Sequence, residues 1–291
     1  MKYLRVAVGV LSLALSLSIS GLAAYPVSVL DDRNQLVTIV NVPERIVSLN
    51  ALYAQIIVDL GEAGRLIAVA ESEDNPQTLA NLPTVGPAVS PNVEVILGFE
   101  PDLVLGANDW GGERPTLEAA GVTVLTTPWI SSVLSIFDTI HTLAAALGVE
   151  QAGDLLVGRI ATRLIAAESA VLGLPSVEAA FLYAATAEDP PYAAGGDSIE
   201  HELILRGGGT NIFSELVWSP QVSFEAIIAR DPEVIFTAPS QIENITGNPL
   251  LQGVAAVRHD RVIGIRASTV ASTQVADALT AMIVGLYGEM P

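Results

Sequence analysis

The chain has 291 residues, 51% hydrophobic but only 5% aromatic, with 13 basic against 32 acidic side chains, a formal charge of −19 and no cysteine. Such an excess of acid repels phosphate backbones and makes nucleic acid a poor partner. The missing thiols exclude disulfides, thiolate metal sites and thiol catalysis.

Lys2 and Arg5 open the chain, and an uncharged run from Val6 to Ala24 ends in Gly21-Leu22-Ala23-Ala24. Basic start, apolar middle and small-residue exit are the parts of a secretory signal peptide, expected over residues 1–24 with the cut after Ala23 or Ala24. A single membrane anchor is the alternative, since about 19 residues just suffice to span; Ser12, Ser16, Ser18 and Ser20 interrupt that run. With no cysteine to acylate, the expected product is soluble and carries no lipid anchor. Its length of about 267 residues is enough for two domains, and its charge is about −21 because Lys2 and Arg5 leave while no acid does.

Residues 27–39 read as a hairpin turning at Asp31–Asn34. Short apolar runs then alternate with longer amphipathic stretches, which predicts α/β architecture with parallel sheets. Strands are expected at Arg45–Leu49, Leu66–Val69, Leu103–Leu105, Val122–Leu125, Ala179–Tyr183, Val234–Thr237 and Arg261–Ile265. Helices are expected at Tyr53–Leu60, Val93–Leu97, Ser131–Leu147 and Ser198–Leu205. A longer helix is predicted over Glu150–Leu172, where Ala152, Leu155, Leu156, Ile160, Leu164 and Ile165 recur at helical spacing and Gly173 and Pro175 end the run. It either packs as an ordinary layer helix or bridges two lobes. The bridging reading divides the chain into an N-terminal lobe (25–148), an interlobe helix (149–173) and a C-terminal lobe (174–291).

An internal repeat favours the bridge. Glu94-Val-Ile-Leu-Gly-Phe-Glu100-Pro101-Asp102-Leu-Val-Leu105 aligns with Glu225-Ala-Ile-Ile-Ala-Arg-Asp231-Pro232-Glu233-Val-Ile-Phe236 at a constant offset of 131. In each copy a short helix begins just before the glutamate, ends before the proline and feeds a buried strand.

Chemistry-bearing motifs are few. His141, His201 and His259 are too scattered for a metal site. Nucleophile elbows, zinc-protease motifs and P-loops are absent, and Gly207-Gly208-Gly209-Thr210 reads as a helix stop and turn. Trp110, Trp129, Tyr192 and Trp218 fall in predicted loops after strands, where α/β sheets place ligands; Tyr53 sits at a strand-to-helix junction. Each could stack on a bulky ligand or cap the core of its own lobe.

Tyr25-Pro26-Val27-Ser28-Val29-Leu30-Asp31-Asp32 and Pro43-Glu44-Arg45-Ile46-Val47-Ser48-Leu49 resemble the entry to the iron-siderophore and cobalamin periplasmic binding proteins. Val85-Gly86, Pro91-Asn92-Val93-Glu94, Pro101-Asp102-Leu103-Val104, Gly208-Gly209-Thr210-Asn211-Ile212-Phe213 and Val222-Ser223-Phe224-Glu225 continue the likeness in the family's order, across residues 27–236. The resemblance implies two Rossmann-like α/β lobes joined by one long rigid helix, with ligand held in the cleft between them and little hinge closure. It implies a monomeric periplasmic binding protein, not an enzyme, that delivers a metal chelate to the permease dimer of an ABC importer and its ATPase.

Under that resemblance Glu94 and Glu225 match the glutamates that dock on permease arginines, one per lobe. Their other reading is a pair of favourable helix-start acids, each contributing about 0.3–1 kcal/mol. Trp218, just before Pro220-Gln221-Val222-Ser223, and Trp110 lie near ligand-stacking aromatics of the cobalamin-binding members, but Ala88 stands where a further Trp is expected. Anionic siderophores call for cleft arginines, for which Arg114 and Arg266 are candidates; bare haem calls for Tyr53 or Tyr192. The binding set is therefore Tyr53, Trp110, Trp129, Tyr192, Trp218 and Arg266, with no cofactor and no resident metal, and the chelate either a corrinoid or an iron-siderophore or haem. A receptor of the same fold for a free metal ion or oxyanion, and an exported hydrolase using paired carboxylates, are the rival readings.

Overall fold

A computed structural model describes residues 25–106 and 112–290; the expected signal peptide and Trp110 lie outside them. The first element is the expected hairpin, β1 (Val27–Leu30) antiparallel to β2 (Leu36–Ile39). The N-terminal lobe follows: β3 (Ile46–Ser48), α1 (Ala51–Asp59), β4 (Leu66–Glu71), β5 (Thr84–Pro87), α2 (Val93–Gly98), β6 (Leu103–Leu105), α3 (Glu113–Ala119), β7 (Thr123–Leu125) and α4 (Val133–Leu147). Its strands form one parallel sheet in the order β5-β4-β3-β6-β7.

The long helix α5 (Glu150–Ala170) comes next. The C-terminal lobe contains β8 (Val177–Tyr183), β9 (Tyr192–Ala193), α6 (Ile199–Arg206), β10 (Gly209–Asn211), α7 (Phe224–Arg230), β11 (Val234–Thr237), α8 (Ile242–Thr246), α9 (Ala255–Arg258), β12 (Val262–Gly264), α10 (Ala267–Val270) and α11 (Val275–Tyr287). Here β10-β8-β11-β12 run parallel and β9 adds antiparallel to β8. Gly207 does close α6 and Gly208 takes φ +82°, as a helix stop should, but Gly209–Asn211 is a strand rather than the expected turn. Its pairing with β8 supplies the order that three weakly strand-forming residues lack.

Alternation along each strand shows why two parallel sheets can share one core. Leu103 and Leu105 face the main apolar cluster while Val104 faces a separate outer cluster covered by α2 and α3. In the C-terminal lobe Val234 and Phe236 face the same main cluster, and Ile235 faces the outer cluster under α7, α8 and α9. Both faces are thus dry, as continuous apolar strands require. The inner faces of both sheets meet α1, α4, α6 and α11 in a single apolar body.

Helix α5 joins that body through a stripe of Gly153, Leu156, Ile160, Leu164 and Ala167, spaced three and four residues apart. It is at once a bridge between lobes and a layer packed on α4 and α11. Gly153 permits the closest approach, since a methyl group there would lie 2.6 Å from the Ala144 methyl. Two polar links reinforce the junction. The Thr273 hydroxyl donates to Asp59 Oδ2 at 2.6 Å, and the Val133 amide at the start of α4 donates to Glu202 Oε2 of α6 at 2.9 Å.

The repeat is structural as well as sequential. Glu94 and Glu225 each occupy the first turn of a short helix capped by a side chain, Asn92 in α2 and Ser223 in α7. Glu100 and Asp231 both take left-handed backbone angles, φ +48° and +43°, before their prolines. Asp102 accepts the amides of Glu44 and Arg45 at the entry to β3, and Glu233 accepts the amide of Glu178 in β8. The second acid of each acid-Pro-acid run therefore ties its strand to the first strand of its lobe.

Candidate functional site

Loops leaving the carboxyl ends of β3, β4, β6, β7 and β12 surround a cleft of about 1020 Å³. In the N-terminal sheet β3 lies between β4 and β6, so the connections diverge and open a crevice at the strands' carboxyl edge. Gly106, just past β6, has φ +85°, and a Cβ there would come within 3.0 Å of Asn50 and 3.2 Å of the Tyr53 ring. Glycine is what lets the β3 and β6 loops lie side by side at the cleft floor. The opposite wall comes from the C-terminal lobe, residues 266–274.

Tyr53 borders the cleft yet is only 4% exposed. Its hydroxyl accepts the Thr127 amide at 2.9 Å and shares a 2.9 Å bond with the Thr127 hydroxyl, which meets Thr139 at 3.3 Å. Burial pushes its ionisation above the ordinary tyrosine value. The phenol is committed to holding the β7 loop against α1 and α4.

A second buried network lies at the hairpin turn. Asp31 accepts the amides of Arg33 and Gln35 at 2.9 and 2.8 Å and Arg33 Nε at 2.8 Å. Burial alone would raise its carboxyl, but the Gln35 amide and the Arg33 side chain and amide outweigh it and hold the group below its usual value of 3.8. Beside it Arg114 of α3, 1% exposed, grips Asp32 with two bonds of 2.7 and 2.9 Å. Arg114 was a candidate anion holder for the cleft; its guanidinium is instead turned inward onto this carboxylate, with Asp31 Oδ2 a further 3.6 Å contact.

The other candidates separate by place. Trp129 and Arg266 line the cleft, one from each lobe, and Trp129 is 90% exposed. Trp218 and Tyr192 are 80% and 50% exposed and belong to a ledge of the C-terminal lobe outside this lining. Trp218 sits at φ +67°, with its amide donating to Asp197 Oδ1 at 2.7 Å and its carbonyl accepting the Gly195 amide. Tyr192 bridges to Gln221. Such exposure removes the core-capping alternative for Trp129 and Trp218, and the hydrogen-bonded burial of Tyr53 favours it there. None of the three histidines lines the cleft.

Sequence reasoning passed over residues 73–78 and 268–274, which form much of the wall. A signal for the first was available: the polar run Glu71-Ser72-Glu73-Asp74-Asn75-Pro76-Gln77-Thr78 directly follows the carboxyl end of a buried apolar strand, where α/β sheets place ligands.

A family model described as periplasmic binding protein matches residues 46–269, from β3 into α10. The chain belongs to the periplasmic binding protein family. Among curated relatives, a cobalamin-binding protein of Halobacterium salinarum is 28% identical over 223 residues, covering 75% of this chain and 60% of that protein. The chain thus spans about three fifths of that relative's length. An uncharacterized ABC transporter substrate-binding lipoprotein of Bacillus subtilis, YvrC, is 26% identical over 247 residues, 83% of this chain and 78% of the relative. Among solved structures, the periplasmic heme-binding protein RhuT from Roseiflexus sp. RS-1, in apo form, matches with a TM-score of 0.76 at 26% identity, covering 84% of this chain and 98% of that one. The family and its relatives are named for binding, not for a reaction.

Proposed function

We propose that this chain is the periplasmic substrate-binding protein of an ABC importer, that it holds a metal chelate between its lobes and passes it to a permease dimer driven by an ATPase, and that it catalyses no reaction. The cleft carries this reading. It lies at the carboxyl edges of a parallel sheet, has room for a large ligand and, among the described residues, carries one exposed tryptophan, Trp129, on its wall. Likeness to relatives named for cobalamin and for ABC substrate binding supports the same reading.

Among chelates a corrinoid is favoured over haem. Tyr53 is the one tyrosine among the described lining residues, and its hydroxyl is already bonded to Thr127 and buried, so it does not offer haem iron a ligand. A free metal ion would need converging donors, and the described residues hold no group of three or more His, Asp or Glu placed for one.

Glu94 and Glu225 serve as the permease contacts. Both are exposed, and helices of βαβ units run antiparallel to their strands, so both start at the carboxyl edges of their sheets. Hydrogen bonds from its own amide and from Ser223 hold the Glu225 carboxyl below its ordinary range and keep it charged. Export rests on residues 1–24, and no helix among the described residues is long and apolar enough to cross a membrane.

The test is titration of ligand-free protein with cyanocobalamin, hemin and ferric siderophores, followed by absorbance and calorimetry. The corrinoid is expected to bind most tightly. A protein that binds none of these compounds contradicts the proposal.

A further inference from the structure

Asp32 lies in the β1–β2 turn, outside the sheet whose loops form the rest of the N-terminal wall of the cleft. Its amide donates to the Thr126 carbonyl at 2.8 Å, which draws the turn onto the loop after β7 and places the carboxylate in the cleft lining. Behind it Arg114 is sealed from solvent at 1% exposure, while the Asp32 side chain keeps 30%. The two parallel bonds take one acceptor position on each carboxylate oxygen. A carboxylate offers about four such positions, so both oxygens retain acceptor capacity toward the open side. The pair is oriented, with its positive end buried and its negative end in the cleft.

Acids outnumber bases in the described lining. Glu73 and Asp74 add two more carboxylates from the loop after β4, and Arg266 is the single cationic side chain facing them. Asp31 is only a secondary partner of Arg114, at 3.6 Å against 2.7 and 2.9 Å for Asp32, because Arg33 and Gln35 already take most of its acceptor positions. A rigid carboxylate backed by a buried guanidinium cannot swing away from an incoming ligand, as a lone surface aspartate could. It rewards donors and penalises anions at one fixed point.

We propose that Asp32, positioned by Arg114, is the charge-selecting acceptor of this cleft, hydrogen-bonding amide, hydroxyl or ammonium donors of a neutral or cationic chelate and disfavouring anionic chelates. Asp32 touches the ligand; Arg114 acts through Asp32. The inference rests on the cleft being the chelate site.

The experiment titrates the ligand-free full chain with aquocobalamin and ferrioxamine B as cations, cyanocobalamin as a neutral corrinoid, and the ferric complex of enterobactin as a trianion. Wild-type protein should bind at least one of the first three and prefer it to the trianion. Asp32→Asn should weaken that ligand roughly 10- to 100-fold, the scale of a hydrogen bond to a charged group, and narrow the preference over the trianion. If Asp32→Asn unfolds because Arg114 is left unbalanced, the double variant D32N/R114Q removes both charges and should narrow the preference equally, with the melt recorded to show that it folds. The variant E73Q/D74N, which leaves the Arg114 fork intact, should narrow it less. An unchanged preference in the Asp32 variants, an equal loss in E73Q/D74N, or a wild-type preference for ferric enterobactin overturns the role of Asp32 while leaving chelate binding standing. Wild-type protein that binds none of the four overturns both.

Discussion

Trp129 holds 90% of its surface in solvent while lining the cleft, an arrangement that contributes little to folding. Trp129→Ala should therefore weaken binding of whichever chelate the protein takes by about 1–3 kcal/mol, as interface aromatics do, and leave the melting temperature near that of the wild type. Calorimetry beside a thermal melt separates the two, and a lower melting temperature with unchanged affinity would contradict the role. Asp31 predicts a pH effect. Its carboxyl is held below the unfolded value, so its contribution to stability is present above roughly pH 4 and is lost as pH falls toward the depressed folded value. Asp31→Asn should lower stability at neutral pH and flatten the acid limb of a stability-against-pH curve. These residues also mark where sequence stops informing. Exposed loop aromatics were legible because few aromatics exist, but that Trp218 and Tyr192 fall on a ledge beside the cleft depends on Asp197 and Gln221, partners found only in space. Arg114 shows this most clearly. Its partner Asp32 is 82 positions away, and no local pattern distinguishes an arginine facing a ligand from one facing an aspartate.

At the scale of elements, strands buried on both faces were the most legible: Leu103–Leu105 and Val234–Thr237 stand where their apolar runs predict. The acid-Pro-acid repeat was legible too, because left-handed exits at Glu100 and Asp231 and amide capping by Asp102 and Glu233 need the same residue types in both lobes. Strand β10 was hidden because Gly209 and Asn211 have no strand preference of their own; pairing with β8 imposes it. Reversing Glu94 or Glu225 to Lys should leave chelate affinity and melting temperature little changed yet sharply reduce ATPase stimulation by the reconstituted importer, with the double reversal worse than either. Full stimulation by the double variant would leave the glutamates as helix-start acids only.

For the molecule as a whole, the apolar cluster that runs from Ile46 through Leu156 and Ile160 to Phe236 and Leu279 matters more than the two-sheet outline. A chain drawn as two lobes and a linker invites the expectation of two unfolding steps. Because both sheets and α5 share one dry interior, calorimetry of the free protein should record a single transition, with calorimetric and van't Hoff enthalpies in agreement. Two resolved transitions would mean that α4 and α11 do not couple the lobes through α5. The same interior has a consequence for degradation. A protease looking for a seam between domains would normally choose the connector, but here residues 150–170 carry five buried positions in the common core and open only when everything opens. Digestion should then pass from intact chain to small peptides without releasing a surviving half. A chelate that stabilises the cleft should also slow cleavage everywhere, including at α5, which supplies no residue of the described cleft lining, so that a loaded protein outlives an empty one.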